Sequence, residues 1–204
     1  MNLNPPEWHI IFFAFILDLI LGDPRWFPHP VVLIGRLIST LEYVLRRVIK
    51  SKVWELLAGG ILAIVVPVSA FLVTYWLIGV AGSFSQAVGW LTAVFLGYTT
   101  IAARSLYAEP QKVAKLLLAG ELPGARKELS CLVGRDTQEL DEKGIVRALI
   151  ETVAENTSDG VIAPLFYLAI GGPPLAMAYK AVNTLDSMVG YKNEKYRYFG
   201  RASA

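Results

Sequence analysis

Residues 56–81, LLAGGILAIVVPVSAFLVTYWLIGVA, carry no charged side chain. A helix that crosses a bilayer needs about 20 mostly apolar residues in a row, so this stretch is long enough to span the hydrocarbon core. Residues 86–103, QAVGWLTAVFLGYTTIAA, are also uncharged and just long enough to cross. The sequence therefore predicts an all-α fold, a polytopic helical membrane protein.

The composition of the whole chain agrees with this prediction. Hydrophobic residues make up 54% of the chain and charged residues only 18%, and the mean hydropathy is +0.48. A soluble globular protein has a more polar composition. A third crossing is predicted at residues 10–21, IIFFAFILDLIL, although this stretch is short and contains Asp18. It lacks the basic region and the small-residue cleavage site of a signal peptide.

The basic residues indicate which parts of the chain face the cytoplasm. All 19 Lys and Arg lie in residues 22–55, 104–160 and 180–204. Because basic loops stay on the cytoplasmic side, we expect a cytoplasmic loop at 22–55 and a cytoplasmic helical insertion at 104–160. The N-terminus and residues 82–85 then face outward, and the protein is a multi-pass protein of the cell (inner) membrane with a cytoplasmic active face.

A fourth apolar stretch, residues 161–179, contains the helix-breaking run GGPP at 171–174. A single crossing here would place the basic residues of 180–204 outside the cell, against the positive-inside rule. A re-entrant element of two half-helices would return them to the cytoplasm, provided that protein covers the backbone groups freed at the turn. A plain fourth helix with a proline kink is the alternative, and both remain open.

A long helix is predicted from Lys143 to Asn156, because apolar residues recur along it at helical spacing. Its opposite face carries Glu151 and Glu155, and one more turn would add Asp159 to this acidic row. A solvated, salt-bridged face is the alternative interpretation. However, acids four residues apart repel one another, and carboxylates beside an apolar membrane segment need a compensating cation or substrate.

A second polar group follows the GGPP run and consists of Lys180, Asn183 and Asp186. Asn183 and Asp186 are three residues apart and share one face of a helix. Opposite Glu155 and Asp159, they would supply the hard oxygen ligands that magnesium bound to a phosphate requires, while Lys180 could hold a phosphate oxygen. Ordinary hydrogen bonding between helices by Asn and Asp is the alternative.

Two Pro- or Asp-containing segments add further candidates. The turn GDPRWFPHP at 22–30 places Asp23 and His29 at the cytoplasmic end of the first helix, where a rigid turn with a tryptophan anchor is the alternative. The segment GRDTQELDEKG at 134–144 adds Arg135 and Asp136. Asp18 is a candidate functional residue because it lies in an apolar stretch, although it could simply sit at the membrane interface.

Several function classes are excluded by what the sequence lacks. It contains neither GxxxxGK[ST] nor a strand followed by GxGxxG, so no standard nucleotide-binding loop is present. The net charge is only +2, with basic and acidic residues interleaved, which does not support binding of nucleic acid. One Cys rules out a disulfide framework, and two His with one Cys make a zinc site improbable.

Three segments together resemble one family. They are DLILGDPRWFPHPVVLIGRLI (18–38), VGRDTQELDEKGIVRALIETVAENTSDGVIAPLFY (133–167) and YKAVNTLDSMVGYKNEKYRYFGRASA (179–204). The chain is identified by them as similar to the adenosylcobinamide-phosphate synthases, membrane enzymes of cobalamin biosynthesis. The resemblance covers nearly the whole chain in order and is weakest at 45–100, where only the hydrophobic character agrees.

The resemblance implies an enzyme that joins adenosylcobyric acid, a corrinoid substrate, to the amine of aminopropanol phosphate or aminopropanol, driven by ATP hydrolysis. Such a reaction needs a carboxylate activated as an acyl phosphate, Mg²⁺ to neutralise the phosphoryl group, and a base for the attacking ammonium. Whether the amine substrate carries its phosphate, and whether the protein forms a homo-oligomer, stays open.

We add a hypothesis about the role of each residue. Glu151 is the general base, because neighbouring acids at a membrane boundary favour its protonated form. The other roles are magnesium binding by Glu155, Asp159 and Asp186 with support from Asn156 and Asn183, phosphate binding by Lys180 and Arg135, and substrate binding by Asp23, His29 and Asp136.

Members of this family usually continue beyond the FGRASA motif through further membrane-associated sequence. We therefore expect a chain truncated at its C-terminus, a fragment, or one partner of a split protein. Two other function classes remain open: a corrinoid-binding or transport membrane protein, in which acids also lie beside a broken helix, and a magnesium-dependent membrane transferase acting on diphosphates.

Overall fold

The computed structural model describes residues 8–23, 29–47, 51–191 and 193–204. Most of the predicted turn at 22–30 and the first seven residues lie outside these ranges. The helices are α1 (Trp8–Leu21), α2 (Pro30–Arg46), α3 (Lys52–Phe84), α4 (Gln86–Tyr98), α5 (Ala103–Leu118), α6 (Leu122–Ser130), α7 (Glu142–Thr157) and α8 (Ala163–Val189). A π-helical turn, Ser158–Ile162, joins α7 to α8, and a short 3₁₀ turn, Phe199–Ala202, lies near the end. No strand occurs in the described ranges, which confirms the all-α prediction.

Three helical stretches are long and apolar enough to cross a membrane. They are Lys52–Phe84, Gln86–Leu118 and Glu142–Val189, and α1 is a shorter apolar helix. The 33 residues of α3 extend about 50 Å, well beyond the hydrocarbon thickness of a bilayer. Large apolar side chains on α3, such as Leu72 and Trp76, are more than half exposed, as expected for a surface that lipid covers.

The helices α3 and α4 form a tight pair joined by a single residue. Ser85 ends α3, and its side chain accepts a hydrogen bond from the backbone N–H of Val88 at 3.2 Å to begin α4. The two backbones approach so closely that a Cβ on Gly89 would lie 2.8 Å from the Cα of Gly82. The predicted outward loop at 82–85 is therefore almost entirely the last turn of α3.

The stretch predicted as a cytoplasmic loop at 22–55 contains the 17-residue helix α2, which the sequence analysis did not predict. His29 caps the helix through its ring nitrogen, and Pro30 occupies its first turn, where a missing N–H does no harm. Ile34 and Ile38, four residues apart, are buried against the other helices. The segment was predicted as a loop because of its basic residues, although its apolar residues recur at helical spacing.

The helix α8 is broken at Gly171 and Gly172. Gly172 has a φ of +67° and a ψ of −166°, a backbone conformation that residues with a Cβ rarely adopt. Beyond the break the chain turns back, because the Nδ2 of Asn183 lies 3.4 Å from the Oδ2 of Asp159. In a straight helix these residues, 24 apart, would be separated by about 36 Å. We call this folded-back element, residues 163–189, the hairpin.

The hairpin matches the bent alternative of the sequence analysis in shape. Its two arms contact each other through the stacked rings of Tyr167 and Tyr179, whose centroids are 4.7 Å apart. The positive φ of Gly172 and the following Pro173 and Pro174 end one arm and begin the other. Whether the hairpin re-enters a bilayer from the cytoplasmic side stays a prediction.

Three groups of buried residues hold the helices together. The largest contains Ile38, Leu62 and Leu185 and joins α2 and α3 to the second arm of the hairpin. Another, around Ala14 and Leu168, packs α1 against α4 and the first arm. The third joins α5, α6 and α7 in a small helical unit with its own core: Val113, Ala125, Leu129, Ile145 and Ala148. The predicted helix from 143 to 156 is confirmed as α7.

Candidate functional site

A cavity of about 620 Å³ lies between α7, the π-helical turn and the second arm of the hairpin. We call it the acidic cleft. Its lining includes four residues of the loop after α6, at 132–135, and Gly190 and Tyr191, which directly follow the hairpin. The candidates that the structure brings together here are Arg135, Glu151, Glu155, Asn156, Asp159, Asn183 and Asp186.

The π-helical turn Ser158–Ile162 places Asp159 in the acidic cleft. Because the turn interrupts the α-helical ladder, the carbonyl of Gly160 accepts a hydrogen bond from the backbone N–H of Ala102 at 2.9 Å. The chain is thereby tied to the junction between α4 and α5, and the side chain of Asp159 lies beside Asn183. Single π turns inside α-helices are frequent at functional sites.

Two arginines neutralise Glu151 at the outer edge of the cleft. Arg135 donates to its Oε2 at 2.7 Å, and Arg147 donates to its Oε1 at 2.9 Å. The neighbours of this carboxylate are therefore cations, which favour its ionised form, and not the acids that would favour protonation. The prediction that Glu151 is poised as a general base is not supported, and its visible effect is to orient Arg135.

The second arm of the hairpin supplies the opposite wall. Asn183 and Asp186 lie three residues apart, so both reach the cleft from one helical face. The hydroxyl of Ser187, another lining residue, donates to the backbone carbonyl of Asn183 at 2.9 Å. On the facing wall, Asn156 donates from its side chain to the carbonyl of Thr152 at 2.9 Å, which leaves its amide oxygen available as an acceptor.

The predicted magnesium site falls in the acidic cleft. In the described part of the chain, no three or more His, Cys, Asp or Glu side chains are grouped closely enough to hold a metal by themselves. Magnesium usually binds through one or two carboxylates together with water and substrate phosphates. Glu155 and Asp159 on one wall and Asp186 on the other are suitable oxygen donors for that mode, so the magnesium assignment stays a prediction.

Lys180 and Asp136 lie outside the acidic cleft. Lys180 lines a neighbouring cavity of about 250 Å³, which shares Asn156 and Asn183 with the cleft. Asp136 accepts a hydrogen bond from the backbone N–H of Gln138 at 2.9 Å and lines a third cavity together with Arg126. Asp136 therefore shares this third cavity with Arg135 but does not reach the acidic cleft, and Lys180 lies behind the cleft.

Asp23 and His29 lie together near the N-terminal end of α5. The Nε2 of His29 is 3.4 Å from one carboxylate oxygen of Asp23, and the hydroxyl of Ser105 donates to the other oxygen at 2.8 Å. Burial raises the pKa of Asp23, but the neighbouring His29 and the hydrogen bond from Ser105 outweigh this and hold the pKa below its usual value. Ser105 belongs to no motif, so sequence reasoning had no signal for it.

The buried Asp18 connects α1 to α5. Its Oδ2 accepts hydrogen bonds from the backbone N–H groups of Ala103 at 2.8 Å and Arg104 at 3.2 Å, which caps the N-terminus of α5. Arg104 in return donates to the last carbonyls of α1, those of Leu19 and Ile20, at 2.8 and 2.6 Å. Asp18 thus has a structural role at the junction and is not exposed at the membrane interface.

Comparison with known proteins gives a match along almost the whole chain. The family model described as CobD/Cbib protein matches residues 11–204. This is the family that the sequence motifs resemble. No solved structure matches the chain.

The curated relatives are longer proteins. "Cobalamin biosynthesis protein CobD" of Pelobacter propionicus is 53% identical over 199 residues, which cover 98% of this chain and 61% of the relative. The protein of the same name from Geobacter metallireducens is 52% identical, covering 96% and 60%. "Cobalamin biosynthesis protein CbiB" of Salmonella typhimurium is 48% identical, covering 94% and 60%. The chain thus spans about 60% of the length of these relatives.

Proposed function

The chain belongs to the CobD/Cbib protein family, and we propose that it acts in cobalamin biosynthesis as an ATP-dependent ligase. The substrates that we propose are adenosylcobyric acid and aminopropanol phosphate or aminopropanol. The observation that carries this proposal is the acidic cleft, because it gathers oxygen donors and an arginine from two of the resembling segments in one cavity. The proposed location is the cell (inner) membrane, with the cleft facing the cytoplasm.

Amide formation from a carboxylate and an amine requires that the carboxylate first be activated. Transfer of a phosphoryl group from ATP to the corrinoid carboxylate gives an acyl phosphate, and attack by the neutral amine then releases phosphate. When bound, magnesium would neutralise charge on the transferred phosphoryl group. A site for this chemistry therefore needs metal ligands and a phosphate-binding cation within one cavity.

In this proposal both walls of the cleft contribute magnesium ligands. Glu155 and Asp159 would hold magnesium from the side of α7, and Asp186 would do so from the hairpin. Arg135 would bind a phosphate, and its contact with Glu151 at 2.7 Å would keep its planar guanidinium in place. The proton of the attacking ammonium then has to leave through a group other than Glu151.

A growth experiment tests the proposal. The 204-residue chain is expressed in a bacterium that lacks the synthase and depends on converting cobyric acid to cobinamide for growth. A chimera in which the chain replaces the matching region of the Geobacter relative is tested in parallel. Growth on cobyric acid with either protein supports the ligase function. Growth only when cobinamide is supplied, with both proteins present in the membrane, would contradict it.

One observation favours a second candidate. A helix broken near its middle, with polar groups beside the break, is common in membrane transporters. The hairpin has this form, with Gly171 and Gly172 at its turn and Asn183 next to Asp159. A corrinoid transporter would move labelled cobyric acid across a vesicle membrane without forming an amide, so product analysis of the same preparation separates the two functions.

A further inference from the structure

The cavity behind the acidic cleft lies between α5, α7 and the second arm of the hairpin, and we call it the inner pocket. Ser105 lines it from α5 and Lys180 from the hairpin, while Asn156 and Asn183 line both it and the acidic cleft. Its volume of about 250 Å³ is below the range of roughly 300–1,000 Å³ typical of sites for drug-sized ligands. The inner pocket therefore suits a small molecule and not a corrin ring.

Among the described charged groups near Lys180, which lines the inner pocket, carboxylates outnumber cations. The ammonium of Lys180 interacts electrostatically with Asp23, Asp18 and Asp159. In the described ranges none of these carboxylates comes within the 4.0 Å of an ion pair with Lys180. Set against Lys180 and the neighbouring Arg104, these three carboxylates leave an excess of one negative charge among the five groups, which favours a further cation and disfavours a phosphate.

One buried oxygen in this group has an unused hydrogen-bonding capacity. Asp18 is fully buried, and its Oδ2 is satisfied by the backbone of α5, but its Oδ1 has no hydrogen-bond partner among the described residues. Asp18 interacts electrostatically with both Asp23 and Lys180, which places it on the same side as the pocket. This buried carboxylate oxygen is therefore free to accept a hydrogen bond from a charged donor.

The group best placed to contact such a donor is Asp23. Its carboxylate accepts a hydrogen bond from Ser105 at 2.8 Å and lies 3.4 Å from the Nε2 of His29, which is too poorly aligned for a hydrogen bond, and its side chain is still 35% exposed. His29 accepts a hydrogen bond at Nδ1 from the backbone of Val31, so its Nε2 carries the proton and lies near Asp23. Asp23 does not itself line the pocket, but it is an oriented, partly exposed carboxylate in direct contact with Ser105, which does.

We propose that the inner pocket is the subsite for a small primary amine, whose ammonium is held by Asp23 next to Ser105. The inference rests on the proposed function, because the amino alcohol substrate of the ligation is a ligand of this class. The shared residues Asn156 and Asn183 place this subsite directly behind the acidic cleft, where the carboxylate would be activated. Asp18 completes the negative surroundings as a positioning residue.

Binding measurements on the full 204-residue chain in lipid nanodiscs test the subsite. The probes are 1-amino-2-propanol and the uncharged propane-1,2-diol, measured by calorimetry without ATP or corrinoid. We expect the amine to bind and the diol to bind at least about tenfold more weakly, because only the amine can form a charge-assisted hydrogen bond. Equal affinity for the two probes would overturn the proposal.

Variants separate the charged contact from a general effect on folding. Asp23→Asn should weaken amine binding about tenfold or more, whereas Glu139→Gln, the same change at an exposed position, should leave it unaltered. Ser105→Ala keeps the charge and removes one hydrogen bond to Asp23, so a smaller loss of about threefold is expected. Wild-type affinity in Asp23→Asn would contradict the assignment.

Lys180→Gln gives a test whose sign decides between an amine and a phosphate, and it does not depend on whether Asp23→Asn folds. If the pocket binds an ammonium, removing the competing cation should tighten amine binding about threefold. Unchanged or weaker binding, or binding of inorganic phosphate that Lys180→Gln abolishes, would overturn the proposal. Because these measurements require no amide formation, failure of the subsite and failure of the ligase function are distinguishable.

Discussion

Glu151 and Glu155 lie one helical turn apart on α7, but their surroundings differ. Glu151 is paired with Arg135 and Arg147, whereas Glu155 faces the acidic cleft with no ion pair within 4.0 Å in the described ranges. An unpaired carboxylate in a cleft is available to a metal ion, while a paired one is already occupied. The two residues therefore have different expected roles despite their identical chemistry.

This difference predicts different kinetics for the variants Glu151→Gln and Glu155→Gln. Glu151→Gln should lower the ligation rate about tenfold without changing the magnesium requirement, because it only loosens Arg135. Glu155→Gln should lower the rate further and shift half-maximal activity to a higher magnesium concentration. Amide formation is measured across a series of magnesium concentrations, in the chimera if the chain alone is inactive. Superimposable magnesium curves for wild type and Glu155→Gln would contradict the metal assignment.

Helical geometry explains why Lys180, a member of the second polar group, does not line the acidic cleft. Lys180 and Asp186 are six residues apart, which on an α-helix is a rotation of about 240° from one face to another. Asn183 lies between them in sequence and lines both cavities. The sequence thus contained the information that Lys180 and Asp186 point apart. It could not show that Asp18 caps α5, because that contact joins residues 85 positions apart.

At the scale of elements, the bent hairpin was one of two forms expected from the GGPP run, and the apolar periodicity of α7 was sufficient to predict that helix. The helix α2 was missed because its charged residues were interpreted as a connecting loop. Its apolar positions Ile34, Leu37, Ile38 and Leu41 nevertheless recur at helical spacing and pack against one core. The burial partners of α2 come from α3, the second arm of the hairpin and the C-terminal residues, which no local pattern reveals.

The C-terminal turn docks on α3 at a position where only glycine fits. A Cβ on Gly59 would lie 1.8 Å from the backbone oxygen of the buried Phe199, whereas a Cβ on the adjacent Gly60 would meet nothing within 4 Å. Gly59→Ala should therefore displace the turn and lower the unfolding temperature in detergent. Gly60→Ala, the matched control, should be neutral or stabilising by up to about 1 kcal/mol, as usual for alanine in a helix. Equal unfolding temperatures for both variants would refute the close packing.

A cluster of charges attaches the same C-terminal segment to α2. Glu42, with a side chain only 14% exposed, accepts from Arg46 at 2.9 Å and lies 3.3 Å from Lys195. Burial raises the pKa of Glu42, but the hydrogen bonds from Arg46 and Lys195 lower it below the usual 4.5. Its charge therefore contributes stability above the pKa of the unfolded chain, and this contribution is lost as the pH falls through the lowered folded value.

Glu42→Gln should consequently destabilise the protein at pH 7 by about 1.5–3 kcal/mol, the range for hydrogen bonds to charged groups. The difference from wild type should shrink as the pH falls below 4.5, the usual glutamate value. Unfolding in detergent at several pH values measures it. Glu194→Gln serves as the control, because that side chain is 96% exposed and should show no such dependence. A constant difference at all pH values would contradict the electrostatic explanation.

For the whole molecule, the orientation in the membrane decides whether the proposed chemistry can occur, because ATP is available on the cytoplasmic side. Cys131, the single cysteine, is exposed and directly precedes Leu132, which lines the acidic cleft. Labelling of Cys131 therefore shows on which side of the membrane the acidic cleft lies. Ser83, also exposed, lies at the opposite end of α3 from the basic residues and reports the other side.

With the protein expressed in a bacterium, a membrane-impermeant maleimide should label Cys131 only after the cells are permeabilised. A variant carrying Cys131→Ser and Ser83→Cys should be labelled in intact cells with a permeable outer membrane. This result is expected because every basic residue lies in the three blocks that the positive-inside rule places in the cytoplasm. Reversed labelling would place the cleft outside the cell, away from ATP, and would exclude the ligase function while leaving the fold unaffected.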